Sequence, residues 1–367
     1  MLVAGGGTAG HVFPAIALAR RLADDHAAEV RFAGTSAGQE AILVPEAGFP
    51  FDVVDARPLR RELSLDAITA PVATLRSVSR CAPLVERADV VVGMGGYVSV
   101  PVGAAALRAR RPLVLHEQNA VPGLANRALA LGARAVALTF ADASRRLPRR
   151  ARTVVTGNPV RDPILSVRED RAVLAHAARA ELGLEEGRAT VVIFGGSQGA
   201  LRVDTAAVDA VRSLRDRADL QILLLSGRAH QERIASSLRE TGDVLVRLRG
   251  FLDRMELAYA IADLVVARAG ATTCAELTAC GLPSILVPYP FATGGHQEAN
   301  ARALERAGAA MVVMDEALSG ASLARSIRDL LDDAARLERM GEAARAWSRP
   351  DAAATLARVV VGVGRRP

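Results

Sequence analysis

Residues 268–276 carry side chains and backbone groups suited to binding an anionic ligand. They follow a short β-branched run, residues 262–267, and continue into a helix that Gly281 and Pro283 end. A helix entered through glycine and alanine presents backbone N–H groups at the positive end of its dipole, where an anion can bind. The hydroxyls of Thr272 and Thr273 would add two further donors.

Glu276 lies one turn further into this predicted helix, so its carboxylate is expected to face the same mouth. There it could accept hydrogen bonds from ribose hydroxyls, as acidic residues do in nucleotide-binding folds. The alternative is an ordinary capped helix start with no ligand. Residues 268–276 alone leave both interpretations open.

A second candidate site is the glycine turn at the start of the chain, which ends at His11. The pattern predicts a strand at residues 2–4, the turn, and a helix to about residue 22. His11, at the mouth of that helix, could accept the proton of an attacking hydroxyl. The commoner use of such a histidine is as a polar residue at a helix start, without a chemical role.

The spacing of this turn matches G-x-G-x-x-G through Gly5, Gly7 and Gly10. A dinucleotide site also needs an acidic residue at the end of the second strand, about 20 residues further on. Here the second strand, residues 29–33, ends in Gly34-Thr35. The sequence therefore argues against an NAD site, and the turn is interpreted as one able to take a phosphate, as is a second turn at residues 195–199.

Strand signals recur at regular spacing through both halves, with helical patterns between them, which indicates α/β domains with parallel sheets. In such sheets, ligands bind beyond the carboxyl ends of the strands. Predicted strands occupy residues 2–4, 29–33, 51–54, 89–92, 112–115, 189–194, 221–225, 244–246, 264–266 and 284–287. The residues just beyond the first-half strands form a polar rim of Thr8, His11, Gly95, Gly96, Tyr97, His116, Glu117 and Asn119.

Length and composition are those of two α/β domains. The 367 residues can bury two cores, and with aromatic residues at only 3% those cores must consist of Ala, Val, Leu and Ile. Two prolines and a glycine at residues 157–163 favour a boundary there. We predict a domain at 1–157, a linker at 158–163, a domain at 164–345 and a helical segment at 346–367 that could pack back on the first domain.

Positive charge is concentrated in the first half. Residues 1–160 hold 19 arginines against 13 acidic residues, whereas residues 161–367 hold 27 of each, and the chain has no lysine. The asymmetry fits a lipid headgroup or nucleic acid near the first half, with solubility as the alternative. No RNA- or DNA-binding motif accompanies it, so nucleic acid is not an expected partner.

The remaining motifs exclude several classes of site. Cys81, Cys274 and Cys280 form no CxxC pair and have no histidine at ligand spacing, which argues against structural zinc and for a reducing compartment. Neither HExxH nor a P-loop occurs. With no apolar run of membrane-spanning length and no signal-peptide pattern, the expected location is the cytosol, although the short first strand leaves room for a start further upstream.

Seven motifs together resemble the MurG family of bacterial N-acetylglucosaminyltransferases, over almost the whole chain and in the same order. They are residues 5–11, 93–97, 116–119, 157–161, 195–199, 268–276 and 296–297. The resemblance implies a glycosyltransferase B architecture, in which two Rossmann-like doubly wound domains face each other across a cleft. It also implies transfer of N-acetylglucosamine from UDP-N-acetylglucosamine to the C4 hydroxyl of the muramyl sugar of lipid I, with inversion and without a metal or other cofactor.

Residue roles follow from the resemblance. It implies that His11 is the base and that Tyr97 borders the acceptor. Should His11 not be the base, Glu117 of the polar rim is the reserve candidate. Leu252 would present its backbone to uracil, Glu276 would bind the ribose and Gln297 the sugar hydroxyls. The remaining donor contacts would be Thr8, Ala9, Gly10, Asn119, Arg161, Ser197, Ala271, Thr272, Thr273, Cys274 and Ala275.

Two positions depart from the family pattern. Ala9 stands where the turn more often has glycine, which is harmless if its φ is negative. Gly294 and Gly295 stand before His296 where acidic residues are common, which leaves the rigidity of that donor loop open.

A lipid-linked acceptor stays in the bilayer, so the resemblance also implies peripheral binding at the cytoplasmic face of the cell membrane. Residues 65–87 offer an apolar stripe with arginines beside it, and residues 107–111 add further cations. The alternative is that the stripe is the core face of a helix. The stripe consists of Ile68, Val72, Leu75 and Val78, flanked by Arg76 and Arg80.

Two other functions stay open. A UDP-sugar 2-epimerase uses a similar two-domain frame but would need carboxylates around the sugar, of which the rims offer few. A non-catalytic sugar-nucleotide-binding module would keep the Glu276 region and tolerate loss of His11.

Overall fold

The computed structural model describes residues 1–56, 65–196, 199–238 and 240–364, except for the side chains of residues 65–75. The chain divides into two compact units. The first consists of Met1–Arg161 and Arg349–Pro367, and the second of Asp162–Ser348. The junction between Arg161 and Asp162 falls inside the segment 158–163.

The first unit contains a seven-stranded sheet in which every pair of neighbours is parallel, in the order β3-β2-β1-β4-β5-β6-β7. The chain winds outward from β1 in one direction and then in the other, which is the doubly wound arrangement that was predicted. The strands are β1 (Leu2–Ala4), β2 (Arg31–Gly34), β3 (Phe51–Val53), β4 (Val91–Gly93), β5 (Leu113–Glu117), β6 (Ala135–Leu138) and β7 (Thr153–Val155). The helices of this part are α1 (Ala9–His26), α2 (Glu40–Glu46), α3 (Leu65–Glu86), α4 (Ser99–Arg108) and α5 (Leu124–Leu129), with a 3-10 helix at Ala141–Arg146.

The second unit repeats this plan with six parallel strands in the order β10-β9-β8-β11-β12-β13. The strands are β8 (Ala189–Phe194), β9 (Leu220–Leu225), β10 (Leu245–Arg249), β11 (Leu264–Ala267), β12 (Ser284–Leu286) and β13 (Ala310–Val312). The helices are α6 (Asp162–Leu165), α7 (Val167–Leu182), α8 (Leu201–Ser213), α9 (Gln231–Ser237), α10 (Met255–Ile261), α11 (Ala271–Cys280), α12 (His296–Arg306), α13 (Gly320–Leu331) and α14 (Ala334–Trp347), with 3-10 turns at Thr293–Gly295 and Asp315–Ala317.

The last helix, α15 (Ala352–Gly364), belongs to the first unit. Its Leu356, Ala357 and Val360 are buried in one cluster with Val3 of β1 and Leu18 of α1. The apolar face of α15 therefore completes the layer of helices that α1 begins on this side of the sheet.

All ten predicted strands are present, with ends shifted by at most three residues, and the prediction of two parallel-sheet α/β domains is confirmed. Strands β6, β7 and β13 were missed. The Ala-Val-Ala-Leu sequence of β6 follows an Ala/Leu helix without a change of pattern, so periodicity alone cannot separate them. Strands β7 and β13 are three residues long and lie at the sheet edges.

The stripe predicted to face a membrane is partly a core face. Val78 of α3 is buried together with Cys81 and Val85 in the core of the first unit, so for Val78 the alternative, the core face of a helix, is the correct one. Ile68, Val72 and Leu75 lie outside the described side chains. Among the helices the structure describes, none has the length and apolarity needed to cross a bilayer.

Helix α8 carries a buried charge that local sequence patterns did not reveal. The Asp204 carboxylate is fully buried, and its Oδ2 lies 3.2 Å from Nδ1 of His230. Burial raises the pKa of Asp204 to about 6, although His230 and the more distant Arg268 oppose the shift. Folding therefore favours the protonated acid, and the folded state loses stability as the pH rises from about 4 to about 6.

We predict that Asp204→Asn stabilises the protein above pH 6 by about 1–2 kcal/mol, because the amide carries no charge to bury and loses only part of the hydrogen bonding. Thermal unfolding followed from pH 4 to pH 8 should show a gain in Tm that is largest at pH 8, intermediate at pH 5 and smallest at pH 4, because the pKa of Asp204 rises from about 4 to about 6 on folding. Asp209→Asn, on the same helix but half-exposed, should show no such pH dependence. A gain that is independent of pH would contradict the assignment.

Candidate active site

The turns that follow β1 and β4 meet at the carboxyl edge of the first sheet. The backbone of Gly95 has a φ of +94°, and a Cβ placed there would lie 2.7 Å from the ring of His11. A Cβ at Gly7 would lie 3.1 Å from the ring of Tyr97. The two turns therefore pack against each other through glycine, and they bring His11 and Tyr97 to one edge as predicted.

His11 is half-buried in the first turn of α1. Its Nδ1 lies 3.2 Å from Oγ1 of Thr8, the N-cap residue of that helix. Ala9 and Gly10, also half-buried, separate the two in sequence. Ala9 lies within the helix and is absent from the residues with positive φ, so the extra methyl group costs no backbone strain.

One amide of this glycine turn is already used by the protein. The backbone N–H of Gly7 donates to Oε2 of Glu40 at 2.8 Å. A carboxylate therefore occupies the place that a phosphate oxygen would take at this amide. The expectation that the first turn cradles a phosphate is wrong for Gly7.

His116, predicted at the rim, is instead fully buried within β5. Its Nε2 donates to the carbonyl oxygen of Gly157 at 3.0 Å. Burial lowers the pKa of His116 to about 4, with the hydrogen bond to Gly157 acting in the opposite direction. The ring is neutral at pH 7, and it ties the end of β5 to the chain that follows β7.

Glu117 anchors the loop that carries Asn119. Its carboxylate accepts the backbone N–H groups of Asn119 (2.9 Å) and Gly123 (3.1 Å) and the side-chain amide of Asn126 (2.8 Å). Burial raises the pKa of Glu117, while these donors lower it. Because its oxygens accept from the protein's own loop, the geometry argues against Glu117 as the reserve base and gives it the role of holding the half-buried Asn119 in place.

In the second unit, the predicted anion site is the start of α11, whose N-cap is Gly270 in an extended conformation. Thr272 and Thr273 are half-buried in its first turn. Ala271, Cys274 and Ala275 are buried, so their backbone rather than their side chains is suited to a ligand. Burial raises the pKa of the Cys274 thiol to about 12, and this thiol is no nucleophile at neutral pH.

Glu276 is almost fully buried and accepts a 2.9 Å hydrogen bond from the hydroxyl of Tyr259 at its Oε2. Tyr259 lies on α10, 17 residues earlier, and is itself buried. The sequence predicted Glu276 as a ligand residue but not the tyrosine that orients its carboxylate.

Arg268 joins three loops of the second unit. Its Nη1 donates to the carbonyl oxygens of Val287 (3.2 Å) and Pro288 (3.0 Å) and to Oδ1 of Asp315 (2.6 Å). Asp315 also pairs with Arg202 at 3.2 Å. The buried arginine thus fixes the chain after β12 relative to the turn before α11.

Gln297, in the first turn of α12, accepts the backbone N–H of Tyr289 at its Oε1 at 2.9 Å. Gly294 and Gly295 before it have φ values of +64° and +67°, a left-handed conformation that acidic side chains adopt only with strain. Asn300 of the same helix donates to the carbonyl of Ala269 at 3.1 Å. These contacts define the conformation of the loop between β12 and α12.

The three remaining predicted donor contacts, Leu252, Arg161 and Ser197, lie in separate parts of the chain. Leu252 is half-buried in the loop between β10 and α10. Arg161 is the last residue of the first unit before the junction, and its guanidinium lies 4.0 Å from the ring centre of Phe13 on α1. Ser197 lies outside the described residues.

Within the described residues, the structure shows no group of three or more His, Cys, Asp or Glu side chains arranged to hold a metal ion.

Family models match both halves of the chain. The glycosyltransferase family 28 N-terminal domain matches residues 1–138, and the glycosyltransferase family 28 C-terminal domain matches residues 190–356. A relative from Halothermothrix orenii is 40% identical over 98% of both chains. It is named UDP-N-acetylglucosamine–N-acetylmuramyl-(pentapeptide) pyrophosphoryl-undecaprenol N-acetylglucosamine transferase.

Solved structures with a similar fold support the same family. The crystal structure of Acinetobacter baumannii MurG superposes with a TM-score of 0.78 at 27% identity, covering 99% of both chains. A UDP-GlcNAc 2-epimerase from Neisseria meningitidis reaches 0.69 at 14% identity, covering 99% of this chain and 98% of the epimerase, a likeness that shows the fold alone. The chain therefore has the glycosyltransferase B fold, and it belongs to glycosyltransferase family 28, in the family of the UDP-N-acetylglucosamine–N-acetylmuramyl-(pentapeptide) pyrophosphoryl-undecaprenol N-acetylglucosamine transferases.

Proposed function

We propose that this enzyme transfers N-acetylglucosamine from UDP-N-acetylglucosamine to the C4 hydroxyl of the muramyl sugar of lipid I, with inversion at the anomeric carbon. The observation that carries the proposal is the 40% identity to the named transferase along 98% of both chains. Three turns support the proposal, because they place His11, Asn119 and the N-terminal amides of α11 beyond the carboxyl ends of strands.

The donor is assigned to the second unit. The first turn of α11 supplies backbone donors and two threonine hydroxyls for the diphosphate, at the positive end of a ten-residue helix. Glu276, oriented by Tyr259, accepts from the ribose hydroxyls. Gln297 takes the sugar hydroxyls, and Leu252 the uracil.

The acceptor chemistry is assigned to the first unit. His11 removes the proton of the attacking hydroxyl, Thr8 and Asn119 reach the donor sugar, and Tyr97 borders the acceptor. As the bond to the anomeric carbon breaks, negative charge grows on the leaving diphosphate, and preorganised donors lower the barrier by stabilising it. In this proposal the protein's own donors supply that stabilisation.

We also propose that the first unit docks on an anionic membrane surface at the cytoplasmic face. A cavity of about 400 Å³ is lined by five arginines and no acidic residue. Arg111, Arg134 and Arg152 lie just before strands β5, β6 and β7. The cavity therefore lies at the amino ends of these parallel strands, whereas His11 lies beyond the carboxyl end of β1. The lining residues are Leu107, Arg110, Arg111, Gly132, Ala133, Arg134, Arg150 and Arg152.

The face of α3 adds less than the sequence suggested. Arg80 is exposed but pairs with Asp55 at 2.7 Å, and Val78 is buried. The arginine cavity therefore carries the docking proposal.

We predict that His11→Ala lowers kcat by about 10²–10⁴-fold, since general-base catalysis contributes that much. Release of UDP from UDP-N-acetylglucosamine with a lipid I analogue, with EDTA present, is the measurement. Full activity of His11→Ala would contradict the role of the base. If the enzyme instead formed an epimerised donor in the absence of acceptor, it would be a UDP-sugar 2-epimerase. If it bound the UDP-sugar without turning it over, it would be a non-catalytic binding module.

Glu276→Gln should raise the KM for the donor by about 10- to 100-fold, because hydrogen bonds to a charged group contribute about 1.5–3 kcal/mol. Tyr259→Phe should raise it by about 3- to 10-fold, since it removes one neutral hydroxyl that orients the carboxylate. In a Glu276→Gln background, Tyr259→Phe should add little. Independent, additive effects of the two substitutions would show that Tyr259 does not act through Glu276.

Arg110→Glu with Arg134→Glu should weaken binding to vesicles containing anionic lipid by about 30-fold or more, because each near-surface arginine contributes about 1 kcal/mol. Added salt should weaken wild-type binding too. The matched control is Arg168→Glu with Arg233→Glu, two exposed arginines of the second unit. Equal loss in both double variants would rule out the cavity as the docking face.

A further inference from the structure

Glu40 is a buried carboxylate to which the sequence assigned no role. It is the first residue of α2 and is fully buried beneath the glycine turn that follows β1. A Cβ added at Gly6, Gly34 or Gly38 would clash with its side chain. Three glycines, one in the turn after β1, one at the end of β2 and one in the turn after β2, therefore make the space in which this carboxylate sits.

The carboxylate accepts from three donors in two turns. Oε2 accepts the backbone N–H of Gly7 at 2.8 Å, and Oε1 accepts both the backbone N–H (3.0 Å) and the hydroxyl (2.9 Å) of Thr35. Both oxygens of this buried carboxylate therefore have hydrogen-bond donors within the protein, as buried polar groups require. Glu40 thus joins the turn after β1 to the turn after β2.

A relay continues from Thr35 to Tyr97. The hydroxyls of the two residues lie 3.1 Å apart. Because the only hydroxyl hydrogen of Thr35 goes to Glu40, the phenol of Tyr97 must be the donor in this pair. The direction of the relay is therefore fixed, from Tyr97 to Thr35 to Glu40, and the phenol oxygen keeps its lone pairs for other partners.

The Glu40 carboxylate is connected to His11 by two routes, one through Gly7 and one through Thr35 and Tyr97. Gly7, which it holds at a φ of +92°, immediately precedes Thr8, the N-cap residue hydrogen-bonded to His11. Tyr97, at the other end of the relay, follows the turn whose Gly95 packs against the His11 ring. A shift of Glu40 would reach the histidine from two sides.

We propose that Glu40 is a positioning residue for the transfer reaction: through Gly7 and through Thr35 it sets the places of His11 and Tyr97. The inference rests on the proposed function. It requires an acceptor-only group at this position, because glutamine would place an N–H donor against either Gly7 or Thr35.

The test compares Glu40→Gln with Glu46→Gln, an exposed glutamate of the same helix. Glu40→Gln should lower kcat by about 10- to 100-fold, by analogy with outer-shell residues that orient metal ligands, whose replacement typically costs that much. The affinity for UDP alone should be unchanged, because the proposal assigns UDP binding to the second unit. This binding also shows that the variant is folded. Glu46→Gln should match wild type in every measurement.

Hydrogen exchange provides a readout that does not depend on turnover. The Gly7 amide should lose protection in Glu40→Gln and keep it in Glu46→Gln. Thr35→Val, which removes the relay but leaves the Gly7 bond, should keep Gly7 protected and still lower kcat. This second variant keeps the proposal testable if Glu40→Gln folds poorly.

The possible results distinguish failure of the positioning role from failure of the proposed function. Wild-type kcat in either Glu40→Gln or Thr35→Val would overturn the positioning role, and unchanged Gly7 protection in Glu40→Gln would overturn the hydrogen bond on which it depends. If the wild type itself transferred no sugar, the proposed function would fail and the catalytic role with it, while hydrogen exchange would still decide whether Glu40 holds the turn.

Discussion

The structure depends on one constraint: strands buried on both faces leave the loops at their carboxyl ends to satisfy backbone groups without much water. Buried polar side chains do this. The Ser99 hydroxyl accepts the Gly95 N–H and lies within hydrogen-bond distance of the Ala4 carbonyl, Glu117 gathers the amides of its loop, and Arg268 gathers carbonyls. Glycine recurs in these turns because the side chains that hold them approach the backbone so closely.

The two sheets share a plan but differ in the charge that holds their turns. In the first unit, the carboxylates of Glu40 and Glu117 accept the amide N–H groups of Gly7, Asn119 and Gly123, so these amides are already used within the protein. In the second unit, the guanidinium of Arg268 binds carbonyls, and the first turn of α11 retains its dipole for an anion. This difference is consistent with the proposal that the acceptor hydroxyl reacts at the first sheet and that the nucleoside diphosphate binds at the second.

The sequence predicted the parallel sheets well, because β-branched runs of buried strands are a local signal. It also predicted that His11, Asn119 and Glu276 lie just beyond a strand or in the helix that follows one, and the structure places them there, while their roles stay predictions. It could not reveal Glu40 beneath Gly7 or Tyr259 beside Glu276, because these pairs are 33 and 17 residues apart and join different elements. An apolar stripe such as that of α3 has the same periodicity whether it faces lipid or the core, which is why the sequence left both interpretations of Val78 open.

The central claim is that the uridine diphosphate sugar binds at the start of α11. The most direct measurement is a crystal structure of the protein soaked with UDP-N-acetylglucosamine. The account predicts diphosphate density against the backbone of residues 271–275 and a ribose within hydrogen-bond distance of Glu276. Density at the glycine turn of residues 5–11 instead, with the start of α11 empty, would contradict it.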